Sequence, residues 1–260
     1  MTEWIRFNYK QDTGLLGTLV GDYVDEYEGD LFETPKPTGR NFPINEVQLE
    51  APLEPHSIFA LWNNFHERAE KEEQTIPDVP LYFMKPLTSV IGPDQTIYRP
   101  KGHKGRVIFE AELGIVIGSK CREVNESEAG EYIFGYTCVN DVTAVEFLFE
   151  DNAFQQWTRC KGFDTFTPIG PCIATGIDPA GMQVKAVQNG ENRQDYPVSD
   201  MIFSPLQIVS MLSHYQTLSP GDLISCGTSV GARTMKPGTK IDIVIPDIGV
   251  LSNPFDDLPE

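Results

Sequence analysis

The chain has 260 residues, 40% of them hydrophobic and 22% charged, a composition that suits a globular protein with a large core. A formal charge of -18 argues against nucleic acid or an anionic membrane as partner, since both are held through clustered Lys and Arg. No apolar run is long enough to span a bilayer, and Met1-Thr2-Glu3-Trp4-Ile5-Arg6 lacks the pattern of a signal peptide, so a cytoplasmic protein is expected.

The cysteines (Cys121, Cys138, Cys160, Cys172 and Cys226) are scattered and form no Cys-x-x-Cys pair, so they read as reduced core thiols. With His56, His66, His103 and His214 also lacking paired spacing, zinc held through sulfur or imidazole is disfavoured. Oxygen ligands remain.

In chain order, Trp4-Ile5-Arg6-Phe7 and Leu15 to Val20 predict hairpin strands broken at Asp12-Thr13-Gly14 and Gly21-Asp22. The prolines between Glu33 and Pro52 predict an irregular linker. A small N-terminal β-domain over residues 1–52 and a catalytic domain over 53–260 follow. Ser57 to Trp62 predicts a strand leading into a short helix capped by Asn63 or Asn64. Asn125 with Glu128, and Ser204-Pro205 with Gln207, are capping boxes that open two further helices. Thr143 to Trp157 predicts a helix followed by a loop over the site, and Lys240 to Ile245 a strand closing the sheet. Strands outnumber helices at irregular intervals, which gives a β-rich α+β class and no topology.

The chemistry concentrates between Phe109 and Asp141. Val107, Phe109, Ala111, Leu113, Ile115 and Ile117 alternate as on a strand, so Glu110 and Glu112 share a face. Paired carboxylates among apolar neighbours repel one another and lose hydration, a cost that a hard divalent cation removes. Asp141, at the end of a second apolar strand Phe134 to Val139, is the candidate third ligand. A Glu-x-Glu on a strand is also the pattern of a solvated face, and spacing alone leaves both readings open. Lys161 can neutralise a substrate carboxylate or an enolate, though alone it reads as a surface lysine. Thr228, beside Gly227, can offer a hydroxyl and an N–H to an oxyanion, or form only a turn.

The run Phe109 to Gly118, Phe134-Gly135-Tyr136-Thr137 with Asn140-Asp141, Lys161-Gly162-Phe163-Asp164, Gly170-Pro171, Asn189-Gly190-Glu191, Pro220-Gly221-Asp222, Gly227-Thr228 and Ile248 to Leu251 resemble, in order, the motifs of the fumarylacetoacetate hydrolase family. The resemblance implies a rolled mixed β-structure with a small N-terminal β-domain, a homodimer, and a divalent-metal enzyme acting on 2-oxo or 1,3-dioxo acids. It implies Glu110, Glu112 and Asp141 as ligands of Mg2+ or Mn2+, with Ca2+ a further option, and Lys161 as a substrate contact. Many members carry a lid helix with a His-x-x-Glu dyad as general base. Here Arg68 and Lys71 fall at those positions, and His66 with Glu70, four apart on one helix face, is either a shifted dyad or an exposed surface pair. Val145 and Leu148 stand where relatives often have Arg and Gln, making this shell more apolar.

Three functions therefore stand open. One is hydrolytic or lytic carbon–carbon cleavage of an acylpyruvate- or fumarylacetoacetate-type acid, with His66 and Glu70 activating water. The second is decarboxylation of an oxaloacetate-type acid or isomerisation of a 2-hydroxy-dienoate, neither of which needs that base. The third is a non-catalytic protein that binds a metal or small acid.

Overall fold

The structure is a computed structural model describing residues 1–259. Its strands Thr2–Tyr9, Asp12–Val20, Tyr23–Glu28 and Lys36–Pro43 pair antiparallel as successive hairpins. The predicted linker thus contains a strand, Lys36–Pro43. Lys36–Pro43 lies at the end of the sheet, where one side needs no N–H donors and Pro37 and Pro43 are tolerated. The hairpins do not stand apart from the rest, because Thr2–Tyr9 pairs antiparallel with Thr167–Thr175. The same sheet continues through Ile133–Asn140, Ala111–Ile117, Leu223–Ser225, Ile58–Trp62 and Leu81–Met84. It is mixed, since Leu223–Ser225 and Ile58–Trp62 run parallel.

A second, five-stranded sheet holds Gln183–Gln188, Glu191–Pro197, Thr239–Ile245, Gly249–Asp257 and Ile97–Arg99. Thr239–Ile245 alternates as predicted but belongs to this sheet, not to the one carrying the carboxylates. The two sheets pack face to face. Leu113, Ile115 and Ile117 contribute to the core between them, with Val184, Ala186, Ile241 and Ile243. Val116 points the other way, into a second cluster with Val139, Ile169 and Leu223. Every residue of Ala111–Ile117 is buried, which explains its near-continuous apolar sequence. The result is the expected β-rich α+β class.

Helices are short. They are α1 (His66–Lys71), α2 (Glu126–Ala129), α3 (Val145–Leu148), α4 (Trp157–Lys161) and α5 (Pro205–Tyr215). Both predicted capping boxes form, at Asn125 and Ser204. The predicted Asn cap of α1 does not. Phe65 precedes that helix without a side-chain cap, while Asn64, 1% exposed, donates to the Cys226 carbonyl at 2.8 Å and accepts from the Phe203 N–H at 2.9 Å. Satisfying two buried loops outweighs capping one exposed turn, and α1 is thereby tied to the loop after Leu223–Ser225.

The helix expected from Thr143 shrinks to the single turn of α3. Asp151 ends it, its carboxylate accepting from the N–H groups of Ala153 at 2.7 Å and Phe154 at 3.2 Å, a local turn that competes with helix. The following loop does carry Phe149 and Gln155 to the cavity described next. All five cysteines are free and buried.

Candidate active site

The predicted single strand through Phe109–Leu113 is interrupted. Val107–Ile108 pairs with Thr143–Ala144, whereas Ala111–Ile117 pairs with Ile133–Asn140. Between the two ladders Glu110 and Asp141 face each other across a gap, with the Asp141 N–H donating to the Glu110 carbonyl at 2.9 Å. The Asn140 side chain accepts the Glu110 N–H at 3.0 Å in place of a ladder bond. This gap lets both side chains turn toward Glu112. Oxygens of Glu110, Glu112 and Asp141 all lie within 4.8 Å of one another, and the three residues are 4%, 1% and 1% exposed. The solvated-face reading is excluded.

Three basic side chains reach this cluster. Lys161, the last residue of α4, is buried and bridges Glu110 and Asp141. It is no surface lysine. Lys85, which the sequence does not single out, is fully buried against Asp141 and donates to the Phe166 carbonyl at 2.9 Å. Arg68 donates to Glu110 at 3.1 Å and to Glu72 at 3.0 Å. Glu112 is held differently, accepting from the Gly227 N–H at 2.8 Å and from the Ser225 hydroxyl. Gly227 thus orients a carboxylate. Its φ of +87° strains any other residue, and an added Cβ would lie 3.3 Å from the Asn64 Cβ and the Leu61 carbonyl oxygen, closer than ordinary contact.

Electrostatics divide the two glutamates. Burial alone raises the Glu110 carboxyl, but Lys161 and Arg68 outweigh it and hold that group down at about 2. Glu112 has no such partner, and burial followed by Asp141 pushes it up to about 8. Burial opposes the charge on Lys161, yet Asp141, Glu110 and Glu112 together keep it above the ordinary lysine value. Lys85 goes the other way, lowered by burial despite Asp141.

A cavity of about 320 Å³ opens onto this cluster and is reached by Glu110, Glu112, Lys161, Arg68 and Thr228. The Thr228 hydroxyl accepts from Gln194 at 2.9 Å, and Gln194 also donates to the Ser229 carbonyl at 3.1 Å. Gln194 therefore fixes the loop that presents Thr228; its place between the exposed Arg193 and Asp195 gave no sequence signal. His66 and Glu70 are exposed and do not line the cavity, whereas Arg68 of the same helix and Glu72, which follows the helix, do. The structure does not bring the shifted dyad to the carboxylates.

The donor set suits a hard divalent cation. It is all oxygen, buried, concentrated in one small volume, and leaves Glu112 without a basic partner of its own.

Residues 57–256 match the family model described as fumarylacetoacetate (FAA) hydrolase C-terminal, and residues 3–52 the model described as Rv2993c-like, N-terminal. Among similar solved structures is 5-carboxymethyl-2-hydroxymuconate delta-isomerase from Mycobacterium smegmatis, 33% identical with a TM-score of 0.91 over 98% of this chain and 100% of that one. A maleylpyruvate hydrolase from Sphingobium sp. SYK-6, in complex with manganese(II) and pyruvate, is 25% identical with a TM-score of 0.83 over 99% of this chain and 100% of that one. The 4-hydroxyphenylacetate degradation bifunctional isomerase/decarboxylase of Salmonella dublin is 37% identical over 76% of this chain and 46% of its own length. With the match spanning both strands that supply the carboxylates, the chain belongs to the fumarylacetoacetate hydrolase family.

Proposed function

We propose that the chain is a Mg2+- or Mn2+-dependent enzyme that binds the carboxylate and 2-oxo oxygen of a small acid and stabilises its enolate, as an isomerase of 2-hydroxy-dienoates or a decarboxylase. Glu110, Glu112 and Asp141 would hold the cation, which supplies Lewis-acid polarisation of the 2-oxo oxygen. Lys161, buried beside the cluster and facing the cavity, offsets negative charge as it develops on that oxygen. Thr228 offers its hydroxyl from the cavity lining, oriented through Gln194. In decarboxylation the bond to the departing carboxyl breaks, CO2 leaves, and the electron pair passes into the enolate; in isomerisation the 2-hydroxyl loses its proton to give the dienolate, and a carbon of that dienolate gains one to give the 2-oxo tautomer. Neither consumes water.

The observation that carries the choice is Arg68. A guanidinium paired with Glu110 and Glu72 lines the cavity from α1, and burial notwithstanding, those carboxylates keep it firmly charged. It cannot take a proton from water. The isomerase and isomerase/decarboxylase among the relatives support the same reading. Hydrolysis of an acylpyruvate-type acid is the second reading, favoured by the maleylpyruvate hydrolase likeness, and it would require α1 to turn so that His66 with Glu70, which here lie off the cavity, reach the site. A homodimer is carried with the proposal, to be checked by light scattering.

His66→Ala separates the two. The proposal expects decarboxylation or isomerisation within about two-fold of wild type and no acylpyruvate cleavage by either protein. Acylpyruvate hydrolysis by wild type that collapses in His66→Ala by about 10² or more supports the second reading instead.

A further inference from the structure

The cavity has two unlike ends. Glu110, Glu112, Lys161, Arg68 and Thr228 mark one, and Trp62, Phe83 and Trp157 the other, with Val145, Leu148, Phe149 and the neutral side chains Asn63, Gln74 and Gln155 also in the lining. The apolar end is a continuous wall: the Phe83 and Trp157 rings stack with centroids 5.5 Å apart, and Trp62 meets Trp157 at 5.7 Å. It begins where the polar end stops, since the Lys161 ammonium lies 5.5 Å from the Phe83 ring centroid. A head group held at the cation site beside Lys161 therefore lays the rest of its chain along aromatic and aliphatic side chains.

The charges point the same way. Both basic side chains that line the cavity are already paired, Arg68 with Glu110 and Glu72, and Lys161 with Glu110 and Asp141. A carboxylate at the far end of a substrate meets no free cation, and Glu72 at the rim repels it. An apolar far end instead covers Phe149, which is 61% exposed. Each methylene so buried multiplies affinity by a factor of about 4.

We infer that this enzyme takes 2-oxo or 2-hydroxy-dienoic acids whose far end is apolar, a methyl, alkyl or aryl group, in place of a second carboxylate. The inference rests on the reading of the head-group site given above, and the test separates the two. Protein loaded with Mg2+ is titrated with pyruvate, 2-oxohexanoate and 2-oxoadipate, following the fluorescence of Trp62 and Trp157, so that occupancy is read without turnover. Pyruvate probes the head alone; the other two share a chain length and differ only in the terminal methyl or carboxylate. The inference predicts Mg2+-dependent binding of pyruvate, 2-oxohexanoate tighter than pyruvate by about ten-fold or more, and 2-oxoadipate no tighter than pyruvate. Phe149→Arg, a change on an exposed rim, should reverse the order of the six-carbon pair by supplying the missing cation. Tighter binding of 2-oxoadipate than of 2-oxohexanoate by wild type overturns the inference while leaving the head-group reading in place. So does a Phe149→Arg variant that leaves both affinities unchanged, because the wall is then not reached. Pyruvate that fails to bind in a Mg2+-dependent way overturns the head-group reading and the inference with it.

Discussion

Lys161→Met is expected to lower turnover of a 2-oxo acid by about 10²- to 10³-fold, the scale on which a donor aimed at a developing oxyanion acts. The same substitution should change stability in a way that depends on metal. Lys161 is buried and bridges Glu110 and Asp141, and breaking a buried pair by removing one partner costs about 3–5 kcal/mol because charge is left uncompensated. The metal-free variant should therefore melt well below metal-free wild type. Adding Mn2+ restores a cation between the same oxygens, so its melting temperature should rise by more in the variant than in wild type. Activity and metal response thus move in opposite directions. Steady-state kinetics and thermal melts with and without Mn2+ check this, and turnover within about three-fold of wild type would remove Lys161 from the mechanism.

Binding of Mn2+ to the metal-free protein at pH 7 should release about one proton, and the origin is Glu112. Burial and Asp141 move its carboxyl from 4.5 up to about 8, so it is protonated at pH 7 and must ionise to act as a ligand. A group raised in the folded state contributes stability that is fully present below its unfolded value and is lost as pH rises through the folded one. Glu112 accordingly makes the metal-free protein less stable between about pH 4.5 and about 8. Glu110, held down at about 2 by Lys161 and Arg68 against the effect of burial, acts oppositely, and its contribution fades only as pH falls below about 4.5. The stabilisation by metal should therefore grow across pH 5 to 8, a higher window than crowded carboxylates with ordinary values near 4 would give. Calorimetric titrations in two buffers of different ionisation enthalpy count the proton. Glu112→Gln should release none, and a wild type that also releases none contradicts the assignment.

The carboxylates were legible in the sequence because two signals coincide on them: the period-2 pattern from Val107 to Ile117 and the family motifs around Glu110, Glu112 and Asp141. The gap that lets them converge was not, since an interrupted strand and a continuous one share the same alternation. Lys85 was missed because a lone lysine between Met84 and Pro86 carries no pattern, and only the fold shows that it ends on Asp141. The rotation of α1 was equally hidden. Four-residue spacing puts His66 and Glu70 on one face without saying which face meets the cavity, and the tie from Asn64 to Cys226 and Phe203 turns Arg68 inward instead. Val145 and Leu148 were readable as an apolar departure, yet their place in a wall with Trp62 and Trp157 depends on contacts between residues far apart in the chain.

The proposed cation site is the cluster of Glu110 and Glu112 with Asp141. Its most direct test is the melting temperature near pH 8, with and without Mn2+, of wild type and of the double variant Glu110→Gln with Glu112→Gln. Wild type should melt at higher temperature with Mn2+, by an amount that follows free metal over its dissociation constant. The double variant should show no Mn2+-dependent shift. A double variant that keeps the full wild-type shift would place the metal elsewhere and contradict the account.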